Sequence, residues 1–78
     1  MAVSAYVLIQ IEMGKAASVA QRIREINGVD SADIATGPYD IIARTSAETM
    51  DDLGRMVVGQ IEMVDGISRT LTCPIINL

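Results

Sequence analysis

Ala5-Tyr6-Val7-Leu8-Ile9-Gln10-Ile11-Glu12-Met13 is apolar at every odd position and passes from apolar to polar along the even ones. Successive side chains of a strand point to opposite faces. Ala5, Val7, Ile9, Ile11 and Met13 therefore ask for a full core. Tyr6, Leu8, Gln10 and Glu12 form a second face, apolar at its start and polar at its end. β-branched enrichment without a helical period predicts a strand over 5–13.

The remaining segments extend that strand into an alternating order. Gly14 breaks it, and Lys15 to Ile26 carries Ala16, Val19, Ala20, Ile23 and Ile26 at helical spacing. Asn27-Gly28 ends the helix. A second strand is predicted over 29–36, where Asp30 and Asp33 suit a sheet edge. Gly37-Pro38-Tyr39-Asp40 has the chemistry of a loop. Ile41 to Thr45 reads as a third strand, and Thr45-Ser-Ala-Glu48 as a capping box opening a second helix. That helix carries Met50, Leu53, Val57, Ile61 and Val64 on its apolar stripe. After Asp65-Gly66 the last strand spans 67–75, at an edge or with its end unpaired because Pro74 cannot donate to a ladder. Ile26-Asn-Gly-Val29 and Val64-Asp-Gly-Ile67 repeat one another. Two right-handed βαβ halves then give an α+β fold, the ferredoxin-like βαββαβ plait. It has a four-stranded antiparallel sheet with two helices on one face.

Composition narrows the function. The chain has 78 residues, enough for a single domain over 1–78 that buries only about 60% of its unfolded surface. Small domains need reinforcement from disulfides, metals or partner subunits. One cysteine and no histidine leave no intrachain disulfide and argue against a metal site, so no metal or other cofactor is expected. Half of the residues are hydrophobic and only two are aromatic. With one sheet face left bare by two helices, such an aliphatic chain calls for self-association, sheet against sheet. Ten acidic residues against six scattered basic ones, and no aromatic platform, argue against direct nucleic-acid binding. No apolar run approaches the ~20 residues that span a bilayer, and no basic flank marks a signal peptide. The lone cysteine fits a cytoplasmic setting.

Three groups of residues are candidates for chemistry. The Gly37-Pro38-Tyr39-Asp40 loop could offer backbone amides to a carboxylate and Asp40 to an ammonium group, the two ends of an amino acid. The same residues equally suit a plain turn with Asp40 capping it. Thr70 and Thr72 share a strand face and could line a polar pocket, or could serve only β-propensity. Glu48, Asp51 and Asp52 read as compensation of the helix dipole rather than as a metal site. Without histidine no Ser-His-Asp set exists, Cys73 has no activating neighbour in sequence, and no catalytic residue is assigned.

Gly37-Pro-Tyr-Asp-Ile-Ile42 and Gly66-Ile-Ser-Arg-Thr-Leu-Thr72 together resemble the ligand-binding half of the Lrp/AsnC family of transcriptional regulators, the RAM domain. The resemblance covers nearly the whole chain. It implies dimers packed through their sheets as a dimeric α+β barrel, and larger rings such as octamers. It also implies an amino-acid or related metabolite effector held where dimers meet. Carried over by position, Gly37, Tyr39 and Asp40 fall on the effector loop, and Thr70 and Thr72 on the final strand. The chain resembles a stand-alone version without the family's helix-turn-helix domain, so regulation would pass through a partner such as a full-length regulator. Pro38 departs from the polar residue usual at its place and removes one backbone donor. A small dimeric α+β barrel enzyme using Gln10, Glu12 and Arg44, and a purely structural oligomerisation module, are the competing readings.

Overall fold

The computed structural model describes residues 2–77. Strand β1 (Val3–Ile11) is followed by helix α1 (Ala16–Arg24), β2 (Val29–Ile34), β3 (Ile41–Ala47) and helix α2 (Met50–Met56). Helix α2 runs on into a π-helical turn, Val57–Ile61, before β4 (Ile67–Pro74). All three pairings are antiparallel and the sheet order is β2-β3-β1-β4. The expected plait is present, with β2 and β4 at the edges.

The two faces of β1 part as its alternation requires. Ala5, Val7 and Ile9 are fully buried against Val19, Ala20 and Ile23 of α1 and Leu53, Met56 and Ile61 of the second helical segment. At about 25 cal/mol per Å² of apolar surface, this layer is the main stabilising term of the domain. The register places Leu8 between Ile42 on β3 and Leu71 on β4. An aliphatic row therefore crosses three strands on the face that carries no helix.

Four local expectations are corrected. The strand ends at Ile11, after a register shift between Gln10 and Ile11. Glu12 and Met13 consequently leave the sheet, and Met13 is 100% exposed instead of joining the core. Thr45 is not a helix cap but a buried member of β3, its Oγ1 donating to the Ala5 carbonyl at 3.0 Å. Pairing with β1 carries β3 on to Ala47, and the cap passes to Thr49, whose Oγ1 accepts from the Asp52 amide at 3.1 Å. Met50 lies in the first turn of α2 and is exposed, while Met56 fills the buried position.

Candidate functional site

The Gly37–Asp40 loop joins β2 to β3 and folds against the end of β1. The Ala35 amide donates to the Asp40 carbonyl at 2.8 Å, and the Asp40 amide donates to the Ile9 carbonyl at 2.8 Å. The Asp40 carboxylate accepts the Ile11 amide at 2.9 Å. The β1–β3 ladder goes no further than Ile9–Ile41, so Asp40 satisfies a donor that lies just beyond its end. Gln10 Nε2 donates to the Pro38 carbonyl at 2.9 Å and ties the loop to the helix-free face. Tyr39 is half-buried and Gly37 exposed. Asp40 is thus committed to the backbone, and what the loop leaves open is the exposed main chain around Gly37.

Thr70 and Thr72 lie opposite Ile9 and Val7 on β4. They share a face, as expected, and it is the face that carries the helices. They do not line one polar pocket. Thr70 lies in an open concavity of about 290 Å³ with Glu62, Ile67, Ser68 and Arg69. Thr72 lies in an adjoining groove of about 230 Å³ with Met50, Leu53, Val57 and Val58, and Glu62 lines both. Thr70 Oγ1 donates to Glu62 Oε2 at 2.8 Å. The sequence gives no warning of Glu62. Its placement depends on the π turn, in which its amide donates to the Val57 carbonyl at 2.8 Å, and no local pattern marks such a turn.

Loop and threonines approach β1 from opposite sides. Asp40 is bonded to Ile9 from the β3 side and Thr70 pairs with it from the β4 side, about two strand spacings (~10 Å) apart. None of the concavities just described contains Gly37, Tyr39 or Asp40. A larger hollow of about 360 Å³ lies elsewhere, among Gly28, Ser46, Glu48, Asp52 and Arg55, and holds none of the expected ligand-binding residues. There Arg55 is already paired with Asp52 at 3.2 Å.

The helix-free face is the other candidate surface. Tyr6, Ile42 and Leu71 are exposed there around the half-buried Leu8. Arg44 Nη1 donates to the Tyr6 hydroxyl at 3.1 Å, and the free Cys73 lies opposite Tyr6. Gln10, Glu12 and Arg44, the groups named for an enzyme of this plait, do not converge within one chain. Gln10 is held by Pro38, Arg44 by Tyr6, and Glu12 lies beyond the strand. Among the described residues no helix is long and apolar enough to cross a membrane.

Comparison with known proteins gives the family and agrees with the fold. The family model of the Lrp/AsnC ligand binding domain matches residues 4–77. An uncharacterized HTH-type transcriptional regulator of Pyrococcus furiosus is 29% identical over 68 residues, 87% of this chain and 46% of that protein. The chain thus spans about half the length of this relative. The crystal structure of TTHA0845 from Thermus thermophilus is 26% identical with a TM-score of 0.92, covering 97% of this chain and 95% of that one. A transcriptional regulator of Neisseria meningitidis, NMB0573, solved as its L-Met complex, shares the fold. Its TM-score is 0.86 at 17% identity, over 96% of this chain and 50% of that one.

Proposed function

The chain belongs to the Lrp/AsnC ligand binding domain family, and from that premise we propose that it is an amino-acid-responsive oligomerisation module. In this reading residues 1–78 act as one ligand-binding unit without catalysis, in the cytoplasm, and reach DNA through a full-length regulator of the same family. Two copies pack their helix-free sheet faces together as a dimeric α+β barrel, and dimers join into larger rings such as octamers. The effector is an amino acid or a related small metabolite held where dimers meet. Gly37, Tyr39 and Asp40 of one chain would face Thr70 and Thr72 of another.

The observation that carries the reading is the uncovered row Ile42–Leu8–Leu71. Apolar side chains ranged across three strands in a domain this small are best explained by a second copy. The separation of loop and threonines on two sides of β1 supports a site completed by another chain. The L-Met complex of the Neisseria protein supports an amino-acid ligand for this fold.

Sedimentation at micromolar concentration and a thermal-shift screen against the twenty amino acids test both halves. Wild type should sediment as a dimer or larger, and the melting temperature should rise with the concentration of at least one amino acid. Leu8→Asp, which sets a charge in the middle of the row, should yield monomers. A compact, stable wild-type monomer would end the oligomer reading, and a flat screen would end the effector reading.

A further inference from the structure

The proposed effector site contains one carboxylate already spent and one still free. Asp40 accepts the Ile11 amide just beyond the end of the β1–β3 ladder. Glu62 is exposed, forms no ion pair with any described residue, and is met only by the Thr70 hydroxyl at 2.8 Å. Resting on the amino-acid-sensing reading above, we infer that Glu62, not Asp40, recognises the ammonium group of the effector, and that the effector's side chain is aliphatic or a thioether.

The chemistry follows from what each group still has to give. Thr70 spends its one hydroxyl proton on Glu62 Oε2, so its oxygen is left as an acceptor. The carboxylate has no proton and only accepts. The pair therefore presents lone pairs alone, and its natural complement is a cation with several donors, as –NH₃⁺ is. Beside it, the groove walled by Met50, Leu53, Val57 and Val58 holds no charge other than Glu62 at its mouth. A basic or acidic side chain entering that groove would lose hydration without a partner. Leucine, methionine or a homologue would bury only carbon and sulfur. β4 is an edge strand, and amides on its outer side have no ladder partner within the chain, which leaves donors for the carboxylate of the ligand wherever no second copy covers that edge. Taken together, the two adjoining concavities, about 290 and 230 Å³, offer the volume of a small-molecule pocket.

Calorimetric titration of the full chain decides the matter, using L-leucine, L-methionine, N-acetyl-L-leucine, L-lysine and L-aspartate. Leucine or methionine should bind, and the acetylated analogue, which lacks the cation, should bind about tenfold or more weakly. Glu62→Gln, which keeps an acceptor for Thr70, should weaken the free amino acid by about the same factor. It should leave the weak binding of the N-acetyl compound and the ligand-free melting temperature where they were. Gly54→Leu should weaken leucine by narrowing the groove, with sedimentation unchanged. Wild-type affinity in Glu62→Gln, or a preference for lysine or aspartate, would overturn the inference and leave amino-acid sensing intact. A protein that binds none of the twenty amino acids would fail the underlying reading, and this inference with it.

Discussion

In the first βαβ half the outer strand is strapped to its helix: Arg24, at the end of α1, donates through Nε to the Ala32 carbonyl of β2 at 2.9 Å. In the second half the outer strand β4 is joined to its helical segment by the Thr70–Glu62 bond, and an apolar groove opens between them. The turns that enter the two outer strands are otherwise alike. Gly28 and Gly66 adopt φ of 102° and 101°, and each carbonyl accepts an amide from the other half at 2.8 Å, from Ser46 and Glu12 respectively. The same plan is thus closed on one side and open on the other. The difference lies in the helices: α1 is regular, whereas α2 contains Gly54 and passes into a π turn.

The most severe way to break this equivalence is at its two glycines. A methyl group on Gly28 would stand 3.1 Å from the Ser46 backbone oxygen, and one on Gly66 would stand 3.0 Å from Val19 Cγ2 in the core and from Lys15 Cδ. Left-handed backbone costs an L-residue about 1–2 kcal/mol, and overpacking adds about 1–3. Gly28→Ala and Gly66→Ala should each lose about 2–5 kcal/mol in urea denaturation. The two losses should be comparable, because neither the Ser46 carbonyl nor the buried Val19 side chain yields readily. Equal and negligible losses would show that the turns are not held as described.

A smaller effect distinguishes the strand that joins the halves from the cap that opens the second one. Thr45→Val removes the buried hydroxyl bond to Ala5 and should cost about 1–2 kcal/mol. Thr49→Ala removes the helix cap at an exposed position and should cost about 1 kcal/mol. A helicity loss in the far-ultraviolet spectrum should accompany the second and not the first.

Those two threonines also show where the sequence stops being readable. Thr45-Ser-Ala-Glu48 satisfies a capping pattern as well as Thr49-Met-Asp-Asp52 does, and nothing within either tetrapeptide separates them. What separates them is β1, more than thirty residues away in the chain, whose pairing holds Thr45 in the sheet. Element order, the edge position of β2 and the buried face of β1 were legible because alternation, glycine placement and the charges of Asp30 and Asp33 are local. Gly37, Tyr39, Asp40, Thr70 and Thr72 stood out as polar residues at turns and on one strand face. The commitment of Asp40 to the Ile11 amide did not, since it depends on where a nonlocal ladder ends. Nor did Glu62, because the spacing Leu53, Val57, Ile61 fits an ordinary helix and hides the wider turn.

The mildest substitution sharpens the contrast between the two helices. Gly54 lies inside α2, and a methyl group there would meet nothing within 4 Å. An unopposed Gly→Ala exchange within a helix should stabilise the domain by about 0.5–1 kcal/mol, through the lower entropy of the unfolded chain and better helix propensity. The added carbon stands on the wall of the groove shared by Thr72 and Glu62, so the same exchange takes room from the space assigned to the effector side chain. Gly54→Ala should therefore raise the urea midpoint while weakening leucine or methionine binding by a small factor. Both changes together would mark Gly54 as a residue that costs stability to keep the second half open. A rise in the midpoint with binding untouched would place the ligand elsewhere on β4.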